Sequence, residues 1–207
     1  MKHMLFKSYI KKAFVKMLYF LFPLAFTFSL LPIHASLILC DSLLSSSKVG
    51  HPHITNFQHW KKIRSEQGKC CAMFPDEPEQ IQQSVPISGE NASLQYHVYV
   101  TNTQKVIFML LIVQYPHVIS EVNSSKNLEH FLSMLAAQNS GAKVVSADLV
   151  NVQGHEGLDF VIQSGMTLFH GRVTQANNAL YLIGVECEHD HYQEDNYRYF
   201  IDSFELE

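Results

Sequence analysis

The densest group of metal-ligating side chains in the sequence is "VECEHDHYQ" at 185–193, where Cys187, His189, Asp190 and His191 fall within five positions. Thiolate, imidazole and carboxylate are the donors that bind zinc, at about 2.0 to 2.3 Å from the ion. Spacing decides which of them can share one. In an extended strand Cys187 and His191 stand four residues apart at about 3.3 Å each, roughly 13 Å between Cα atoms, and a single zinc does not join those ends. His189 and His191 are left as the candidate metal ligands, with a bend at Asp190 or a third donor from elsewhere. Two features compete with that reading. Cys187 is in phase with Tyr181, Ile183 and Val185, so it belongs to the apolar face of a strand. Asp190 followed by Gln193 has the spacing of a helix cap, in which the carboxylate accepts from the first free N–H groups of the helix.

Other side chains carry weaker signals. His155-Glu156 has the composition of an acid–base pair, since imidazole titrates near neutrality. It lies between Gly154 and Gly157, where a hairpin turn is expected and exposed polar residues are ordinary. Cys40, Cys70, Cys71 and Cys187 are the four cysteines. Cys70 and Cys71 are adjacent, and successive strand side chains point to opposite faces, so only one of them can meet a given partner. A disulfide from Cys70 or Cys71 to Cys187 requires the first and last core strands to be neighbours; the alternative is buried free thiols. His51, His53 and His59 lie in or beside a polar segment without periodicity. Gly-x-Ser-x-Gly, His-Glu-x-x-His and a phosphate-cradling glycine loop do not occur. The residues therefore imply no catalytic set and no cofactor.

These groups must be positioned by a chain of 207 residues with two unlike parts. Residues 1–16 carry Lys2, Lys7, Lys11, Lys12 and Lys16 without an acid, and residues 17–40 contain no charged side chain. A basic flank followed by about 20 apolar residues is a membrane-targeting pattern. The expectation is a signal peptide or membrane anchor over 1–40, with an extracytoplasmic domain behind it. Three fates fit this leader: cleavage after Ala35, lipidation of Cys40 in the lipobox-like Leu37-Ile38-Leu39-Cys40, and retention as an anchor. Five of the 15 basic residues lie in the leader while all 19 acids lie beyond it, so residues 41–207 carry a balance of −9. That sign argues against nucleic acid, for which Lys61-Lys62-x-Arg64 is the nearest candidate patch.

Residues 41–56 are Ser-rich with Gly50 and Pro52 and read as a linker; a single domain is expected over 57–207. Within it "SLQYHVYVT" alternates, with Leu94, Tyr96, Val98 and Val100 on a buried face and Gln95, His97 and Tyr99 on the other. "VIFMLLIV" at 106–113 is apolar throughout, which suits a central strand covered on both sides. Leu128, Phe131, Leu132, Leu135 and Ala136 make the stripe of a helix that Ser124 or Ser125 can cap and Gly141 can end. Strands follow over 143–152, 157–164, 167–175 and 179–187, with tight turns at Gly154–Gly157 and Ala176–Asn178, and a closing helix over 191–203. Strands, helix, strands, helix with hairpin connections give an α+β fold: a mostly antiparallel sheet of about six strands.

Four stretches extend this reading. "CAMFPDEP" (71–78), "VQGHEGLDFVI" (152–162), "GRVTQANNALYLIGV" (171–185) and "YFIDSFEL" (199–206) resemble, in order and spacing, secreted bacterial domains of the PsbP-like type. The resemblance implies an antiparallel sheet sandwiched by helices and an extracytoplasmic, often membrane-tethered accessory protein. The leader, the acidic domain and the lack of a catalytic motif make the expected function a non-catalytic envelope binding protein, with the membrane as one partner through the N-terminal segment and an envelope protein as another. The alternative is a metal-binding or metal-dependent envelope protein using His189 and His191.

Overall fold

The computed structural model describes residues 57–103, 105–119, 123–137 and 141–207. The leader, the linker and the lipidation expected at Cys40 lie outside the described residues. Along the chain come β1 (Lys61–Ser65), β2 (Cys70–Phe74), β3 (Glu79–Pro86), β4 (Ser93–Thr103), β5 (Val106–Gln114), α1 (Ser124–Ala137), β6 (Lys143–Val152), β7 (His155–Ser164), β8 (Thr167–Ala176), β9 (Ala179–Glu188), α2 (Glu194–Asp202) and β10 (Glu205–Leu206). Every pairing is antiparallel. Seven strands form one sheet in the order β3-β4-β5-β9-β8-β7-β6, and β1, β2 and β10 form a small second sheet with β2 in the middle.

The apolar run at 106–113 lies deep in the large sheet because both its faces are covered. Leu111 and Val113 face Leu128, Phe131, Leu132 and Leu135 of α1, whose predicted stripe is buried as expected. Phe108, Leu110 and Ile112 face the opposite way, into a core shared with Trp60, Phe74, Phe200, Ile201 and Phe204. There Phe200 meets Phe74 and Phe108 edge-on at 5.0 and 5.2 Å between ring centroids. Burying each such ring or leucine stabilises the fold by about 1.5–3 kcal/mol, so the two cores are comparable anchors for the one sheet. The layer opposite α1 is therefore mixed, with α2 beside the small sheet, where helices alone were expected. It also covers the second face of β4, so His97 and Tyr99 are buried along with Tyr96 and Val98.

Two other expectations shift. β3 is a seventh strand of the large sheet with no legible pattern, because only Val85 among its eight residues is buried. The turn between β6 and β7 falls at Gln153 (φ 53°) and Gly154 (φ 94°), so that Val152 pairs His155. Both turn positions are left-handed, as a two-residue hairpin turn matched to the strand twist requires. His155 and Glu156 already belong to β7. In the middle of the sheet Gly171 pairs Gly184, and this glycine pair lets the Phe160 ring lie against β8 and the Phe169 ring against β9.

Candidate functional site

At one end of the large sheet the β1–β2, β6–β7 and β8–β9 turns meet the end of β5 and the last two residues of the sequence. Together they line a depression of about 460 Å³ that includes Gln114, Gln153, His155, Asn177, Asn178 and Tyr181. Carboxamides stitch its rim. Gln114 donates to the carbonyl of Gln67. Gln153 donates to the carbonyl of Phe204 at 2.8 Å and accepts from the N–H of Leu206 at 2.9 Å. Asn178 donates to the carbonyl of Tyr115 at 2.9 Å. The Tyr181 hydroxyl, pushed up to about 12 by burial, stays protonated and donates to the carbonyl of Gly68 at 2.9 Å. Lys69, Gln153 and Asn177 hold φ of 47°, 53° and 55° around the same hollow. These bonds fix the shape of the rim, and the lining also includes Lys69 and Glu207, so the hollow is polar and carries both signs of charge. His155 lines the hollow, but Glu156 points to the opposite face of β7. The pair therefore cannot act together on one bound molecule.

The "VECEHDHYQ" stretch lies at the other end of the sheet. β9 stops at Glu188, a 3-10 turn occupies His189–His191, and α2 starts only at Glu194. The bend that the metal reading needed is present, yet it does not gather ligands. Successive residues of a 3-10 turn are about 120° apart, so positions 189 and 191 splay. His189 lies 3.9 Å from Asp190 and His191 lies 3.6 Å from Glu188. Among the described residues no three His, Cys, Asp or Glu side chains converge on a point that could hold a metal ion. Asp190 does not cap α2 either: it is exposed within the 3-10 turn, and Gln193 is the N-cap residue without a side-chain cap bond. The helix begins three residues later than expected because the 3-10 turn intervenes.

The side chain at this junction with strong contacts is Tyr192. Its hydroxyl donates to Glu194 at 2.6 Å and lies 2.8 Å from His170 Nδ1 on β8. A phenol has one proton, so with that proton directed to the carboxylate, Nδ1–H of His170 donates to Tyr192. Burial lowers His170 against the pull of Glu194 and Asp159, and burial together with Glu194 raises Tyr192. Glu194 stays below its ordinary value against burial, held there by Tyr192 and Arg198. The imidazole packs edge-on against Tyr192 and Tyr197 at 4.8 and 4.6 Å. Next to it Arg172 forms two bonds to Asp159, at 2.6 and 2.8 Å. This network pins α2 to β7 and β8. Sequence inspection passes over it because His170 and Tyr192 are 22 positions apart.

Cys70, Cys71 and Cys187 are free, buried thiols, and their placement explains why the expected disulfide is not formed. Cys70 faces the inner core and interacts with Tyr181, six residues before Cys187 on β9, a strand length of roughly 20 Å. Cys71 faces outward from the small sheet. There Lys62 on β1 reaches Glu205 on β10 at 2.6 Å across it, and its thiol donates to Glu205 at 3.3 Å. Burial pushes Cys70 up to about 12 and raises Cys187 as well.

No protein-family model and no curated protein matches the chain. Among solved structures it is similar to the solution structure of cyanobacterial PsbP (CyanoP) from Synechocystis sp. PCC 6803. The TM-score is 0.50 at 12% identity, covering 77% of this chain and 99% of that one. The fold is PsbP-like. The architecture implied by the motifs at 71–78, 152–162, 171–185 and 199–206 is thereby shown, and at 12% identity the likeness speaks for fold alone. A protein of unknown function from Pseudomonas aeruginosa aligns over 64% of this chain and 85% of its own at 11% identity, with a TM-score of 0.33.

Proposed function

We propose that the chain is an extracytoplasmic accessory domain, tethered to the membrane by its N-terminal segment, that binds a protein of the cell envelope through the polar depression. The observation that carries the reading is the position of the depression relative to the start of the domain. Phe57, the first described residue, stacks on Tyr199 at 4.0 Å and meets Trp60 edge-on at 5.5 Å. From Trp60 the five residues of β1, about 16 Å of strand, lead to the turn that forms one rim of the depression. A tether arriving at Phe57 joins the domain about one strand length from the depression, which leaves the depression open to a partner. The acidic balance of −9 over residues 41–207 keeps the domain off anionic headgroups, so that its membrane contact runs through the N-terminal segment.

The test is site-specific photo-cross-linking in the native organism, with the probe at Asn177 and, as control, at exposed Glu129 on α1. The expected result is a discrete envelope-protein adduct from Asn177 alone, in the membrane or extracytoplasmic fraction. Recovery of the chain in the cytoplasm, or identical adducts from both positions, overturns the proposal.

A further inference from the structure

We infer that the chain pairs with a second copy of itself along β6, antiparallel and about a twofold axis, so that the two large sheets become continuous. β6 is an edge strand, and its residues from Lys143 to Leu149 are all exposed. Val144, Val145 and Leu149, at 42%, 59% and 61% exposure, are three of the five large apolar side chains that the described residues expose. The opposite edge differs: β3 presents Glu79, Gln80, Gln82 and Gln83 to solvent. A long apolar edge with unpaired backbone groups is a template for another strand.

The bulge and the charges select one register. The two-residue turn makes Val152 and His155 a hydrogen-bonded pair, so Leu149 and Ala147 direct their N–H and C=O groups outward. The irregularity between Val144 and Ser146 shifts this alternation by one, which turns the groups of Val144 and Ala142 outward. An antiparallel partner must place outward-directed residues opposite one another. Setting Val144 opposite Ala147 of the second copy does so, places Ala142 opposite Leu149, and brings Lys143 opposite Asp148. By symmetry the interface contains that ion pair twice.

The charges favour this arrangement. Asp148 sits opposite Asp159 on β7, a like-charge pair that is unfavourable, and Arg172 already serves Asp159 and Asp202. Among the described residues neither Lys143 nor Asp148 has an ion pair, and a Lys143 from the second copy relieves Asp148. A register centred on Asp148 would instead oppose two carboxylates. The same residues that discourage random edge pairing therefore become complementary in one geometry. A twofold pairing of like edges is closed, so the assembly stops at two.

The test uses the full chain in detergent, with mass from light scattering and affinity from sedimentation. Asp148→Lys and Lys143→Asp should each weaken dimerisation by roughly tenfold or more, since each turns two attractive contacts repulsive. The double exchange Lys143→Asp/Asp148→Lys should restore it. All four substituted positions of a dimer lie on exposed strand faces, and circular dichroism reports whether each variant keeps its fold. A monomer throughout, or dimerisation indifferent to both single exchanges, as association through the leader would give, overturns the inference. Cross-linking at Asn177 does not depend on β6, so this inference and the proposed function fail independently.

Discussion

Replacing Gly171 by alanine tests whether the paired glycines are packing positions. A Cβ at Gly171 would stand 2.7 Å from Cζ of Phe160 and 3.2 and 3.3 Å from its two Cε atoms. The first distance is far inside van der Waals contact, and the ring cannot easily swing away because Phe160 is 1% exposed in the core beneath α1. Overpacking of this kind costs about 1–3 kcal/mol. Alanine also restricts the unfolded chain, which stabilises by about 0.4–1 kcal/mol. The strain is the larger effect, leaving a net loss of about 1–2 kcal/mol. With a urea dependence of about 1–3 kcal/mol per molar, the midpoint of urea unfolding should fall by roughly 0.5–1 M with an unchanged slope. The double variant Gly171→Ala/Phe160→Leu supplies the decisive comparison. Leucine removes the atoms that clash, so the two changes should be non-additive by about 1 kcal/mol, with the double variant more stable than the sum predicts. Strict additivity, or a Gly171→Ala protein as stable as wild type, would refute the close-packed glycine pair.

Three further outcomes are expected. Asp159→Asn leaves the half-buried Arg172 with only Asp202 as a charged partner among the described residues, at 3.5 Å, and should cost about 2 kcal/mol in chemical denaturation, between the values for exposed and buried pairs; a loss under about 0.5 kcal/mol would show that the pair contributes little to joining β7 and β8. Burial lowers His170 despite Glu194 and Asp159, so the unfolded chain binds this proton first as pH falls. The stabilisation is present above the ordinary histidine value of about 6.5 and declines below it. Wild type should therefore lose more stability than His170→Gln between about pH 7 and pH 5, and equal losses would refute the shift. Cys70, Cys71 and Cys187 should all be alkylated after denaturation without reductant, whereas in the native protein Glu205→Ala should speed labelling of Cys71 alone; a Cys187 disulfide found by mass spectrometry would contradict the strand placement.

The α+β class was legible because the signals for it are local. The 128–136 stripe and the unbroken run at 106–113 each state which faces are buried, and face burial is what assembles layers. β3 was not legible, since a strand that buries only Val85 has no period to detect. The depression was legible only in part: His155 and Asn177–Asn178 stood out, but Gln114 and Tyr181 looked like ordinary strand residues. The "VECEHDHYQ" stretch is dense in ligand types, yet its strong contacts are made by Tyr192, a residue whose type gives no such signal.

The sequence alone determined quantities that depend on neighbours along the chain: a basic and then apolar N-terminal composition, an acidic balance beyond it, amphipathic periods and turn residues. Tertiary structure alone decided what depends on meetings between distant segments. It placed His170 against Tyr192, laid Lys62 and Glu205 over Cys71, held Cys70 apart from Cys187, and brought three turns together around one depression. The physical reason is that periodicity fixes the face on which a side chain lies but not the partner across from it, which is set only when strand order and register are set.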